Sequence, residues 1–160
     1  MNTGLLLLRL VTGLLIAGHG VQKVSFHLGG GGLDGGTAEF RGDGFRGGKL
    51  TALAAGGTQI GAGLMLAAGL LTPLAGAGVM GVMTVALTVK WPHGLWVQHD
   101  GYEFPFVLIV IGAALTATGP GQWSADGALG LAHWPLWWLP VAVLAGVGGG
   151  LATRLALHRT

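Results

Sequence analysis

The stretch LLLLRLVTGLLIAGHGVQKV, residues 5–24, constrains the fold most, because it is a long apolar run that still carries three ionisable side chains. As a helix rising about 1.5 Å per residue, it would cross the roughly 30 Å hydrocarbon core of a bilayer. Such groups are costly inside a membrane unless they face protein or water, so the polar stripe of this helix is expected to do so. The stripe consists of Arg9, Thr12, Ile16, His19 and Lys23.

The composition predicts a small polytopic membrane protein. Of the 160 residues, 51% are hydrophobic and only 9% are charged, far fewer charges than a soluble domain uses on its surface. Most of the 33 glycines lie within apolar runs, where small residues let helices approach closely. The chain has no cysteine, so it cannot itself exchange disulfides or hold an iron–sulfur cluster. Any redox role therefore requires a bound cofactor or a partner.

Four further apolar segments predict four further spans, of which the third is short. They are residues 50–71, 74–89, 104–118 and 134–157. The turn at Thr72-Pro73 is so short that its two neighbouring spans must form an antiparallel hairpin. Pro135 and Pro140 could delay the start of the last span.

Glycine pairs with helical spacing predict where the helices approach one another. Gly57 and Gly61 form a G-x-x-x-G pair in the second span, and Gly146 and Gly150 give the last span a packing face.

Two polar segments lie between these spans. Residues 25–49 are rich in Gly and charge and are expected to be a long loop, in which Phe40 and Phe45 could reach the membrane interface. The segment KWPHGLWVQHDGY, residues 90–102, has the Trp and Tyr content of an interfacial loop. Its histidines, His93 and His99, are interpreted as solvated, because no third residue has metal-ligand spacing to them.

The distribution of Lys and Arg predicts the orientation. With five spans, seven of these residues fall on one side and only Arg9 lies toward the other, which favours an outer N-terminus and a cytoplasmic C-terminus. The seven are Lys23, Arg41, Arg46, Lys49, Lys90, Arg154 and Arg159.

Several stretches together resemble the DoxX family of small bacterial membrane proteins. They are LLLLRLVTGLL and HGVQK in the first span, GAGLMLAAGLLT, GYEFP and GPGQWSAD, between residues 5 and 126. The family is pictured as a four-helix membrane bundle. The resemblance therefore implies a four-helix domain over residues 1–126, including the Gly-rich loop at 25–49, and an added transmembrane helix with a short tail over residues 127–160.

Two positions depart from the family pattern. Gln59 stands where members often have Glu, so an ionisable acid is lost while hydrogen bonding is kept. Pro73 stands where members often have Arg. The resemblance implies links to thiosulfate:quinone oxidoreduction and to membrane complexes that manage oxidative stress, or, in distant relatives, to protein folding or cargo handling.

One cluster of polar residues is the best candidate site. Antiparallel packing should bring His19 and Lys23, at the end of the first span, close to Tyr102 and Glu103, where Lys23 and Glu103 can pair. Arg9 would anchor the opposite end by snorkelling or by bonding Thr and backbone carbonyls, and Gln59 would lie near mid-bilayer. The cluster is interpreted either as structural glue, in which a stranded partner would be costly, or as a quinone-sized or lipid-sized pocket.

The sequence thus predicts an all-α, five-span protein of the bacterial inner membrane, with four spans in the core bundle and the fifth outside it. The favoured function is a membrane subunit of a redox or oxidative-stress assembly rather than a stand-alone enzyme. A quinone is the cofactor compatible with that function, the bilayer and proteins of a redox complex are the expected partners, and neither metal nor nucleic acid is expected. Catalytic residues are not identifiable. The alternative is a non-redox binding, folding or scaffold factor.

Overall fold

The chain is all-helical in the computed structural model, which describes residues 2–158. Five apolar helices correspond to the five predicted spans, so the predicted fold class is confirmed. A polar helix and one short turn of helix lie between them. In chain order the helices are α1 (Asn2–Val24), α2 (Gly32–Gly42), α3 (Lys49–Ala68), α4 (Thr72–Lys90), α5 (Glu103–Thr118), α6 (Ala125–Ala128) and α7 (Trp138–Leu157). Arg159, which entered the charge count, lies outside the described residues.

Four of these helices, α1, α3, α4 and α7, are long and apolar enough to cross a membrane. The fifth, α5, has 16 residues and is about 24 Å long, somewhat less than the hydrocarbon core. The chain is therefore a multi-pass membrane protein. The last span begins at Trp138, four residues later than residue 134, and includes Pro140 in its first turn.

The core forms where α1 packs on α3, α3 on α4, and α4 on α5, while α7 lies against α4 and α5. Apolar side chains from four helices meet there, among them Ile16, Leu66, Val79 and Leu115. Helix α7 approaches α4 through its glycines, because a Cβ at Gly146 would lie only 2.6 Å from the Ala77 carbonyl oxygen. The predicted packing face at Gly146 and Gly150 is thus confirmed.

A different glycine set brings α1 and α3 together. A Cβ at Gly13 would lie 2.5 Å from the Gly63 carbonyl oxygen, and a Cβ at Gly20 would lie 2.6 Å from the Gly56 carbonyl oxygen. The predicted pair, Gly57 and Gly61, does not make this contact, since both are exposed and a Cβ at either would meet nothing within 4 Å. Spacing alone does not reveal which face of a helix meets its neighbour.

The polar segment 25–49 is not simply a loop, because residues Gly32–Gly42 form α2. This helix packs on both α1 and α3, and tertiary packing of this kind outweighs the poor helix propensity of glycine. Phe40 and Phe45 contact each other edge to face, with ring centroids 5.4 Å apart, and both are buried. The prediction that they reach the membrane interface was therefore wrong.

Candidate functional site

A cavity of about 530 Å³ lies within the described bundle and is here called the α4 cavity. Residues of α4 from Leu74 to Lys90 form its floor, α3 forms one wall, and α7 forms the other. The floor is lined mainly by small and aliphatic side chains. Leu74 and Lys90 are sixteen positions apart along the helix, so the α4 cavity follows the helix axis for about 24 Å. Its length and apolar lining suit a chain-like molecule.

One end of the α4 cavity is charged. It lies where α1 and α4 end and α3 begins, and this end of the bundle is called the charged end. Lys23, Glu39, Asp43 and Lys90 line it. Lys23 Nζ lies 2.7 Å from Glu39 Oε1, and Lys90 Nζ lies 2.6 Å from Asp100 Oδ2. Both lysine ammonium groups at the charged end therefore already have a carboxylate partner.

The carboxyl groups at this end differ in their environments. Burial raises the pKa of Asp43, and repulsion from Glu39 raises it further, against the attraction of nearby cations. The hydrogen bond from Lys90 lowers the pKa of Asp100, which lies in the exposed loop. Asp43 therefore holds a proton more readily than Asp100 does.

The last turn of α7 contacts residues 43–46 at the charged end. Arg154 Nη1 donates to the Asp43 carbonyl oxygen at 2.9 Å, and its guanidinium lies 4.6 Å from the centre of the Phe45 ring. The Arg46 N–H donates to the Leu157 carbonyl oxygen at 2.7 Å. Residues 43–46 are therefore held over the α4 cavity by contacts with the last turn of α7.

Gln59 also lines the α3 wall of the α4 cavity, farther from the charged end than Thr51. It is only 5% exposed, and its Oε1 atom has no hydrogen-bond partner among the described residues. The neighbouring wall hydroxyls are satisfied locally, since Thr58 donates to the Ala54 carbonyl and Thr51 to the Arg46 carbonyl. Gln59 Oε1 is thus buried without a partner, whereas the hydroxyls beside it are satisfied.

A second, polar cleft of about 280 Å³ lies on the other side of the Lys23–Glu39 pair. His19, Gln22 and residues 29–31 line it, together with the paired side chains themselves. His19 Nδ1 is 3.1 Å from Gln22 Oε1, and its ring lies 5.6 Å from that of Phe104. The ion pair therefore separates a polar cleft from an apolar cavity.

The predicted pairing of Lys23 with Glu103 was wrong. Helix α2 supplies the partner of Lys23, namely Glu39, and α2 was not foreseen. Glu103 instead accepts a hydrogen bond from the Val97 N–H at 3.1 Å, and its own N–H donates to the Leu95 carbonyl. Both bonds tie Glu103 to the loop that precedes α5.

The six predicted site residues fall into three groups. Lys23 and Gln59 line the α4 cavity and His19 lies in the adjoining cleft. Tyr102 and Glu103 lie apart from them, at the start of α5. The Tyr102 ring stacks on Trp91 at 4.8 Å between centroids. Arg9 lies at the opposite end of the bundle.

Arg9 is 1% exposed and therefore does not snorkel to the membrane surface. Its Nη2 donates to the Trp123 carbonyl at 2.6 Å, which agrees with the predicted bond to a backbone carbonyl. Its Nε and Nη1 have no partner among the described residues.

Asp126, which the sequence analysis left without a role, lies in the same region and is fully buried. Its carboxylate accepts four hydrogen bonds, from the Leu71 N–H, the Thr72 N–H and hydroxyl, and the Trp134 indole N–H, at 2.7 to 3.0 Å. It therefore caps the N-terminus of α4 from a distant segment. The signal available in the sequence was that Asp126 is the single acidic residue of its connector, on the side of the bundle where α4 begins.

Comparison with protein families gives a match that covers helices α1 to α4. The DoxX family model matches residues 4–91, which is more than half of the chain and runs from α1 through α4. The stretches GYEFP and GPGQWSAD lie beyond the matched residues. Comparison with curated proteins and with solved structures gives no significant match. On the family match, this chain belongs to the DoxX family.

Proposed function

We propose that the protein binds one chain-like amphiphile, a quinone or a lipid, in the α4 cavity. The observation that carries this proposal is the cavity itself, which is apolar along a membrane-spanning helix and charged at one end. Its volume of about 530 Å³ is within the range of small-molecule sites. An amphiphile has the same arrangement, an apolar chain and a polar head.

An isoprenoid quinone fits this arrangement. Its apolar tail matches the floor of the cavity, and the charged end suits its polar head. When bound, a quinone supplies the two-electron chemistry that a chain without cysteine lacks. The chain's own residues would bind and orient it, and the half-buried Asp43 carboxyl could hold a proton at the charged end. A role in a redox or oxidative-stress assembly follows from such binding, with the electron donor on a partner.

The binding proposal is tested by filling the cavity from α7. Gly149 lines the α4 cavity, whereas the adjacent Gly148 does not, and a Cβ at either would meet nothing within 4 Å. We expect Gly149→Phe to lower retention of the co-purifying amphiphile at least tenfold, because the ring would occupy the space of the chain. Solvent extraction of the purified protein followed by mass spectrometry measures this amount per mole of protein.

Gly148→Phe is the matched control. It adds the same ring to the same helix on an exposed position, so its amphiphile content should equal that of the wild type. Equal retention in the two variants, or no amphiphile in the wild type, would rule out the α4 cavity as the binding site.

We also propose that the charged end faces the cytoplasm of a bacterial plasma membrane. All the described Lys and Arg residues except Arg9 are at that end, and positively charged loops are retained inside. They are Lys23, Arg41, Arg46, Lys49, Lys90 and Arg154.

Cysteine labelling tests the orientation, because the chain has no cysteine of its own. Gly42 and Ala128 are exposed at opposite ends of the bundle. With a maleimide that cannot cross membranes, we expect Ala128→Cys to be labelled in intact spheroplasts and Gly42→Cys only after permeabilisation. The reverse pattern would show that the charged end faces outward.

A further inference from the structure

The two walls of the α4 cavity leave a gap between them. In the described part of the chain, α7 packs mainly on α4 and α5, whereas α3 packs mainly on α1 and α4, so the walls share a floor without closing over it. Five residues along this gap both line the cavity and are exposed, and they are called the rim. They are Ala54 and Thr58 on α3, and Ala145, Gly149 and Thr153 on α7. At this depth in a membrane the rim lies against lipid chains.

We infer that the ligand of the α4 cavity enters and leaves sideways, through the gap between α3 and α7, directly from the lipid bilayer. The inference rests on the proposed function and specifies how that site exchanges with its surroundings. The protein would thus draw on the amphiphiles dissolved in the membrane, and not on a molecule delivered through water.

The rim is suited to the passage of an apolar chain. Its side chains are those of glycine, alanine and threonine, so none is bulky or charged. The hydroxyl of Thr58 donates to the Ala54 carbonyl and that of Thr153 donates to the Gly149 carbonyl, each at 2.8 Å. Both hydroxyl protons are therefore engaged within their own helices. A chain that crosses the rim strips water or a hydrogen-bond partner from no ionised group.

The charged end opposes the same passage. A chain entering there would move past four ionisable side chains, and removing charged groups from water or from their partners is costly. They are Lys23, Glu39, Asp43 and Lys90. The Phe45 ring, only 1% exposed, also lies at this end beneath the Arg154 guanidinium. The charged end therefore suits a polar head at rest, whereas the gap suits a chain in transit.

A covalent bridge across the gap tests this route. Helix α3 begins and α7 ends at the charged end; Thr58 is nine positions after Lys49, and Gly149 is eight before Leu157. Both are thus about 12–14 Å from that end along their helices. Thr58→Cys with Gly149→Cys places two thiols at similar depth on opposite sides of the gap, in a chain without other cysteines. Bifunctional methanethiosulfonates of increasing length would bridge them.

The probes are a short-tailed, fully substituted benzoquinone and a lysophosphatidylcholine, each with a photoreactive diazirine in its chain. The full-length protein is held in phosphatidylcholine nanodiscs. Photocross-links to the floor residues Val82 and Ala86, located by mass spectrometry, measure occupancy of the cavity. The two probes distinguish a quinone from a single-chain lipid as the ligand.

Two orders of addition separate a closed entrance from a filled site. When the bridge is formed first, we expect cross-linking to the floor to fall about tenfold, because the probe is kept out. When the probe is loaded first, the same bridge should slow its loss to probe-free vesicles about tenfold, because the exit is closed as well. A linker that only filled the site would expel the loaded probe.

Two controls accompany the bridge. The same double-cysteine protein, capped with a monofunctional reagent of half the length, carries similar added volume but no bridge, and it should load and lose the probe as the unmodified protein does. Arg154→Met removes the contact with the Asp43 carbonyl and so loosens the charged end. Its exchange rates should equal those of the wild type.

The outcomes separate the route from the site. Unchanged loading and loss in the bridged protein, or faster exchange in Arg154→Met, would overturn the lateral route in favour of the charged end and leave the proposed function intact. Expulsion of the loaded probe by every bridging linker would also overturn it, since the gap would then be the binding position itself. If neither probe cross-links to the floor of the unmodified protein, the proposed function fails as well.

Discussion

Replacing Asp126 by Ala should destabilise the protein by about 3–5 kcal/mol, as expected when one partner of a buried, charged network is removed. Four donors would lose their acceptor at once, and two of them are the backbone N–H groups of Leu71 and Thr72, where α4 begins. The buried guanidinium of Arg9, which the Asp126 carboxylate attracts, would also lose its counter-charge. Unfolding by denaturant in mixed micelles measures the change in the free energy of unfolding.

The same carboxylate supports an unusual backbone conformation. Leu71 has a positive φ of 44°, which is unfavourable for a side chain of this kind, and its N–H donates to Asp126 at 2.7 Å. Asp126→Asn keeps one acceptor oxygen and the shape of the side chain, so we expect an intermediate loss. Graded losses in the order Ala, Asn, wild type would therefore indicate that the hydrogen bonds, and not only the volume, stabilise the hairpin of α3 and α4.

Two comparisons separate the effect of removing the buried Asp126 carboxylate from the effect of removing any carboxylate. Asp34→Ala removes a carboxylate from an exposed pair with Lys49, and it should change stability little. In an Arg9→Met background, Asp126→Ala should cost less than it does in the wild type, because no guanidinium is left stranded. Equal losses from Asp126→Ala and Asp34→Ala, or strictly additive losses with Arg9→Met, would contradict the assigned role.

The spans could be predicted from the sequence because hydropathy and helix length are local properties. Five apolar runs became five helices, and their ends differ from the predicted ends by four residues at most. Helix α2 could not be predicted in the same way. Its glycines disfavour helix in isolation, and it is stabilised by contacts of Phe40 with residues distant in the sequence.

The candidate site was predicted only in part, because some of its contacts join residues that are distant in the sequence. Lys23 and Gln59 were selected because polar groups within a span are conspicuous, and both line the α4 cavity. The partner of Lys23 depended on α2, so Glu39 was missed and Glu103 was chosen in its place. Asp126 was missed because its role comes from three-dimensional proximity: it reaches residues 54 and 55 positions earlier in the chain.

The close approach of α1 and α3 predicts a second large effect, at Gly63. A Cβ at this position would lie 2.6 Å from both the Ala17 nitrogen and the Gly13 carbonyl oxygen. Both are backbone atoms of α1, so neither can turn aside as a side chain could. Gly63→Leu should therefore force the two helices apart and destabilise the bundle by about 3 kcal/mol or more, the upper range for overpacking. Denaturant unfolding again gives the value.

Gly61→Leu is the control that separates overpacking from a general effect of a larger residue in α3. Gly61 is two residues away on the same helix, is exposed, and has nothing within 4 Å of its Cβ position. Leu favours helix over Gly by up to about 1 kcal/mol, so this variant should be as stable as the wild type or slightly more stable. Of these two glycines, Gly63 faces α1 and Gly61 does not. A similar change in the free energy of unfolding for both variants would therefore mean that the packing of α1 on α3 does not depend on Gly63. A large loss at Gly63 alone would show that glycine at this position sets the distance between α1 and α3.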